Sequence, residues 1–364
     1  MTRFFRLFFF LLLPLAVVLG QNASPPELKP RPTGPAEVRP HPTPSRAQIS
    51  LYVQVADKSG VPIHGLQKQD FTLLDDDQPQ NILSFQAVDG GAPTTADLPV
   101  EIVLVVDAVN ASFQAVTYER TEIRKFLLQN GGELAHPVSL IIFSDAGTKI
   151  QDGSSRDGNA LAALYDEYQT GLRSITRSQG FYGATERFDM SLKAINSLAA
   201  YEGTRPGRKL MIWISPGWPL LSGPNIELSG KDEQQLFNSV VAASDALRQA
   251  NLTVYSVDPL GLADFGTRTS FYEEFLKGVA SPKRAVYGNL GLQVLAVQSG
   301  GRVLNTTNDL TTAIANCAGD ANAFYVLSFD APPADHADEY HSLRVTVDKS
   351  GAKARTRTGY YAQP

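Results

Sequence analysis

From residue 49 onward the apolar positions recur every second residue. Leu51, Val53 and Val55 alternate with Tyr52, Gln54 and Ala56, the period of a strand with one buried face. Phe71 and Leu73, then Ile82 and Phe85, predict two more strands on either side of the acidic turn Asp75-Asp76-Asp77-Gln78-Pro79. At 101–106 the pattern changes to an unbroken apolar run, EIVLVV, closing on Asp107. A strand covered on both faces needs no polar side, so this run predicts a central strand. Helical spacing follows over 117–129, with Ile123, Phe126 and Leu127 on one stripe. The alternation continues through strand 138–143, helices 159–168 and 186–198, strand 209–214, helix 233–250 and strand 253–257. A helix over 290–298 then leads into a short strand at 300–304. After Asp320 the strand period returns at 324–329, 342–347 and 352–358.

Strand–helix alternation of this kind builds a mainly parallel, doubly wound α/β sheet with helices on both faces. The α/β block spans residues 98–318 and is bracketed by β-rich pieces at 47–90 and 322–362. Pieces of roughly 40 residues bury too little surface to stand alone. They are therefore expected to pair into one small β-sandwich, with the α/β block inserted between its halves. Ahead of them, Arg3 and Arg6 precede an apolar stretch at 7–19 that ends near Val18 and Gly20. This predicts a secretory leader over residues 1–20, too short for a membrane span, which takes about 20 apolar residues. Residues 21–46 are dense in proline and read as a semi-rigid spacer. The expectation is an exported chain, periplasmic or extracellular, with no membrane span in its mature part.

The net charge of −5 and the lack of a Lys/Arg block exclude a general nucleic-acid binder. The short basic runs at 205–209 and 353–357 read as solvated strand flanks. The single cysteine, Cys317, falls on the helical spacing Leu310, Ala313, Ile314, Cys317 and reads as a packing residue. One thiol makes no internal disulfide and no multi-cysteine metal centre. No G-x-S-x-G, H-E-x-x-H, P-loop or G-x-G-x-x-G pattern is present, and the expectation is a non-enzyme. Asp75-Asp76-Asp77 lacks the glycine and distal glutamate of a calcium loop and reads as a solvated turn. His336 and His341, among Asp335, Asp338 and Glu339, read as a polar surface loop with incidental transition-metal affinity at most.

Several segments, in order and spacing, carry a family resemblance. They are VADKSGVPIHGLQKQDFTLLDDDQPQNILSFQ, VLVVDAVN, the FSD ending at Asp145, PGRKLMIWISPGWP, VYSVDPLG, SGGRVLNTTNDLTTAI and RTRTGYYA. Through them the chain, over about residues 47–362, resembles the von Willebrand factor A-like proteins described from acidobacteria. The resemblance implies a Rossmann-like sheet whose C-terminal edge binds partners, in metal-dependent members through Mg²⁺. There an Asp-x-Ser-x-Ser motif, a Thr from a second loop and an Asp from a third hold the ion.

Here Asp107 matches the first position, but Val109 and Ala111 stand at the two hydroxyl positions. Thr185 matches the second-loop Thr, and the third loop reads Ser215-Pro216-Gly217, without its Asp. Asn110 and Ser112 offer oxygen in shifted register. The expected contact surface is therefore Asp107, Asn110, Ser112, Thr185, Ser215 and Trp218, with Trp213 in the core and Trp218 exposed. Metal ligands would be Asp107 and Thr185, and Mg²⁺ binding is expected to be weak. A strand-end carboxylate at Asp107, Asp145 or Asp258 can alternatively cap a following helix. The expected function is a protein-binding, adhesion or scaffold module with a degenerate metal-ion-dependent adhesion site and a protein partner of unidentified kind. The alternatives are Mg²⁺-bridged adhesion through a rebuilt site, and an extracytoplasmic hydrolase on the same sheet.

Overall fold

The apolar run that closes on Asp107 becomes the middle of a parallel sheet. The computed structural model describes residues 48–88, 99–169, 180–221, 227–261 and 269–364. The leader expected at 1–20 and the spacer expected at 21–46 lie outside the described residues.

In the amino-terminal β-rich piece the strands are β1 (Gln48–Ala56), β2 (Phe71–Asp75), β3 (Gln78–Gln80) and β4 (Ser84–Val88). The α/β block holds β5 (Val100–Asp107), α1 (Phe113–Leu127), β6 (Glu133–Ser144), β7 (Gly147–Ile150), β8 (Ser155–Asp157), α2 (Gly158–Gln169) and α3 (Gly180–Gly203). It continues with β9 (Arg208–Ile214), α4 (Gly230–Gln249), β10 (Leu252–Val257), α5 (Thr269–Glu273), α6 (Leu292–Gln298), β11 (Val303–Leu304) and α7 (Leu310–Gly319). The carboxy-terminal piece supplies β12 (Phe324–Asp330), β13 (Glu339–Val347), β14 (Lys353–Arg355) and β15 (Gly359–Ala362).

The large sheet runs β11-β10-β9-β5-β6-β7, parallel from β11 to β6, while β7 and β8 pair antiparallel with β6. Period two divides each apolar run between two helical layers. Ile102, Leu104 and Val106 meet Ile123 and Phe126 of α1, Tyr165 of α2 and Ile314 of α7. Val103 and Val105 meet Phe188 and Leu198 of α3, Val240 of α4 and Leu295 of α6. Each such side chain contributes roughly 1.5–3 kcal/mol when fully buried. β7 and β8 carry no apolar periodicity; they are short edge strands, held by hydrogen bonds to β6.

The β-rich pieces form two antiparallel sheets, β14-β1-β12-β4 and β15-β13-β2-β3. β12 lies between β1 and β4, with Leu327 opposite both Leu51 and Phe85. β13 pairs with β2 through Leu343 and Asp75. Leu51, Val53, Leu73, Leu327, Phe329, Leu343 and Tyr360 share one core.

One expectation fails at the basic run 205–209, which is not a solvated flank. Arg208 is fully buried, its guanidinium 4.2 Å from the Phe324 ring centroid and donating to the Asp320 carbonyl at 3.1 Å. Lys209 is 1% exposed and donates to the carbonyls of Glu202 (2.8 Å) and Ala250 (3.2 Å). Both side chains sit at the start of a central strand, where covered stems leave the charged heads only rings and carbonyls to meet. Cys317 is buried on α7, and burial pushes its thiol up to about 12.

Candidate functional site

β6 joins β5 on one side and β9 joins it on the other, so the winding reverses at β5. Open α/β sheets bind ligands outside the strand ends at such a switch point. Asp107 ends β5 and Ser215 follows β9, and the two meet there. Asp107 is completely buried. Its Oδ1 accepts from the backbone N–H groups of Val109 and Asn110, both at 2.9 Å. Its Oδ2 accepts from Asn110 Nδ2 at 2.8 Å and from the Trp213 indole at 2.9 Å. The Ser215 hydroxyl also hydrogen-bonds the carboxylate. Burial pushes this carboxyl up, while the Asn110, Trp213 and Ser215 bonds pull it down.

A carboxylate offers about four lone-pair sites, and these donors occupy them. Val109, at the first hydroxyl position of the family motif, is buried in the apolar core and supplies no oxygen. This donor set does not suit Mg²⁺, a hard cation that takes about six oxygens in near-octahedral array.

The remaining expected site residues take other roles. Ser112 caps α1, its hydroxyl accepting from Ala115 N at 3.2 Å, so Ser112 rather than Asp107 caps that helix. β7, not a helix, follows Asp145, and Asp258 accepts from Leu260 N within its own loop. Thr185 is not in a loop, because α3 begins at Gly180; its hydroxyl donates to the Phe181 carbonyl at 3.0 Å. It is Ser191 of α3 that reaches Asn110, accepting from Nδ2 at 2.9 Å. At about 1.5 Å rise per residue, Thr185 stands roughly 9 Å further along that helix axis. Trp218, expected at the surface, is 3% exposed. Its ring packs edge-on against Trp213, with centroids 5.2 Å apart, because a large apolar ring gains more from that contact than from water.

A cleft of about 360 Å³ opens above this cluster, lined among others by Asn110, Arg187, Pro216, Trp218, Leu220 and Gln293. Among the described residues, three side chains of this lining each hold a buried polar atom without a hydrogen-bond partner: Asn110 Oδ1, Trp218 Nε1 and Gln293 Oε1. The orientation of Asn110 is set by chemistry, since its amide NH₂ must face the Asp107 carboxylate. Gly217 is needed at the third loop. Its φ is +103°, a backbone conformation that residues with a Cβ rarely adopt.

Two further features escape the pattern reading. Glu119 of α1 is completely buried, and neither of its oxygens has a hydrogen-bond partner among the described residues. Desolvation first, then the negative charges of Asp107 and Asp258, hold its carboxyl well above the ordinary range. Its spacing from Ala115 and Ile123, both buried, was the available signal.

The acidic turn is not wholly solvated either, since Asp75 is 2% exposed. His341, expected in a surface loop, lies in β13 at 7% exposure with Nδ1 2.9 Å from Asp75 Oδ1. Extending the alternations Phe71-Leu73-Asp75 and His341-Leu343-Val345 would have turned both side chains inward. His336 remains exposed, its Nδ1 3.1 Å from the Ala337 carbonyl.

No family model matches the chain, and no curated protein matches it in sequence. Among solved structures it is similar to the PilB minor pilin from Streptococcus sanguinis, at 12% identity over 64% of this chain and 63% of that one, with a TM-score of 0.36. It is also similar to the pilus adhesin SpaC from Lactobacillus rhamnosus GG, at 13% identity over 86% of this chain and 49% of that one, with a TM-score of 0.37. A third likeness is to the SpRpn10 VWA domain, at 12% identity over 62% of this chain and 98% of that one, with a TM-score of 0.28. The chain thus spans less than two thirds of the minor pilin's length and about half of the adhesin's. These are distant likenesses of shape.

Proposed function

We propose that this chain is an exported, non-catalytic binding module of adhesion or scaffold type. It engages a protein partner through the cleft beyond the ends of β5 and β9, without a bridging metal ion. The observation that carries this reading is that three side chains lining the cleft, Asn110, Trp218 and Gln293, each hold a buried polar atom without a partner among the described residues. An unmet buried donor or acceptor costs about 1–3 kcal/mol, a penalty that a ligand supplying the missing partner removes. Arg187 and Leu220 add a cation and an apolar contact at the same opening.

The described lining residues include neither a carboxylate nor a histidine, the side chains a hydrolase most often uses as general base, which favours the binding reading. Metal-bridged adhesion is the second reading, and the internal hydrogen bonds of Asp107 weigh against it.

Panning a random peptide display library on the immobilised chain tests the proposal. Bound peptides are expected to be lost when Arg187→Glu and Leu220→Asp are introduced together, with the melting temperature unchanged. Peptides that bind both forms equally, or no enrichment at all, would overturn it. A second expectation separates the two readings. Millimolar Mg²⁺, compared with excess chelator, should raise stability by at most about 1 kcal/mol. A melting shift of many degrees would restore the metal-bridged reading.

A further inference from the structure

The β-rich body holds a second polar cluster. β2 ends at Asp75 and turns into β3 through Asp76 and Asp77, both in the left-handed region, with φ of 45° and 62°. This turn folds the Asp76 side chain over β13, where its Oδ1 accepts from the backbone N–H and the hydroxyl of Ser342, both at 2.8 Å. Asp76 Oδ2 is thereby left 3.6 Å from His341 Nδ1. Asp75 brings its Oδ1 to 2.9 Å from the same nitrogen, and its Oδ2 accepts from the Tyr360 hydroxyl at 2.6 Å. The Tyr360 ring stacks on the imidazole with centroids 5.1 Å apart. One ligand atom from each of Asp75, Asp76 and His341 lies within 4.8 Å of the others.

We propose that Asp75, Asp76 and His341 form a binding site for a divalent transition-metal ion of the Zn²⁺ class. Three observations carry it. First, ligands about 2.0–2.2 Å from a tetrahedral zinc stand roughly 3.4 Å from one another. The separations of 2.9 and 3.6 Å straddle that value, so an ion seats with small side-chain shifts.

Second, the local charge is unbalanced. The Asp75 side chain is wholly buried, and among the described residues His341 is the one basic group paired with either Asp75 or Asp76. Two adjacent carboxylates beside an imidazole are short of positive charge, and burial makes that deficit costly.

Third, His341 is buried and its Nε2 has no partner among the described residues, where the polar contacts of the ring all point at the carboxylate pair. Imidazole among the donors selects a transition ion over Ca²⁺ or Mg²⁺, which take oxygen ligands. Binding moves the imidazole proton from Nδ1 to Nε2. Asp76, at 51% side-chain exposure, leaves a solvent path through which water completes the coordination. The Nε2–H would lack the acceptor that usually supports a metal-bound imidazole, so micromolar rather than nanomolar affinity is expected.

The test is calorimetric titration of the tag-free mature chain with ZnCl₂, beside Asp76→Asn, His341→Gln and His336→Ala variants. Asparagine tolerates the left-handed φ at position 76 and keeps an oxygen for Ser342, so Asp76→Asn folds and isolates the missing charge. One equivalent of Zn²⁺ should bind the parent chain and His336→Ala alike. Asp76→Asn should weaken the affinity by about tenfold or more, since replacing a charged ligand costs at least what losing an outer supporting contact costs at other metal sites. His341→Gln should abolish binding, and if it fails to fold the Asp76→Asn result decides. Equal affinity in Asp76→Asn, loss of binding in His336→Ala, or no saturable binding by the parent chain would each overturn the proposal.

Discussion

Asp107→Ala is expected to destabilise the chain by about 3–5 kcal/mol, because it strands several buried donors at once. Val109 N, Asn110 N and the Trp213 indole lose their acceptor at a completely buried position, and Asn110 Nδ2 keeps only Ser191 Oγ. For a chain of this size the melting temperature should fall by roughly 6–10 °C. Asp107→Asn should lose about half as much, since one oxygen still serves the two backbone donors while its amide faces the Asn110 and Trp213 donors. Denaturant melts of the three proteins, with and without Mg²⁺, check this. A loss below about 1 kcal/mol for Asp107→Ala would mean that the hydrogen bonds of this carboxylate do not hold the strand end.

Glu119→Leu should do the opposite and stabilise the fold by about 1–3 kcal/mol at neutral pH, by removing a buried carboxyl that has no partner. The pH dependence identifies the cause. Glu119 is raised in the folded state above its ordinary 4.5. Well below 4.5 both states hold the proton, and the group contributes no pH dependence. As pH rises through 4.5 toward the folded value, the unfolded chain releases its proton while the folded chain keeps it, so stability falls over that window. Glu119→Gln should flatten this fall without the gain of the leucine variant at low pH, because its amide remains unpaired. A Glu119→Gln profile parallel to that of the parent chain from pH 4.5 to 7 would mean that Glu119 is not the titrating group.

The backbone of the α/β block was legible in residue spacing. Runs such as 101–106 and 209–214 are apolar throughout because both faces of β5 and β9 are covered. Strand ends were legible for the same reason, since Asp107 breaks an apolar run that only burial explains. Less legible were the helix limits. α3 starts at Gly180 and absorbs Thr185, which the family pattern puts in a loop. The edge strands β7 and β8 left no trace, because hydrogen bonds to β6 hold them rather than burial of an apolar face.

Apolar periodicity is a local property, written within a few neighbouring residues, so it reported strands and layers without reference to the rest of the chain, while the reversal of winding at β5 came only from the strand order. The fate of a polar group depends on what the fold brings to it from far away. Asp107 was read as a metal ligand or a helix cap. Ser112 takes the cap of α1, and the indole of Trp213, 106 positions along the chain, arrives to occupy the second oxygen of Asp107. Asp75 and His341, 266 positions apart, were dismissed as a solvated turn and a surface loop. Their meeting across β2 and β13 follows from strand pairing, and no local pattern encodes a partner at that distance.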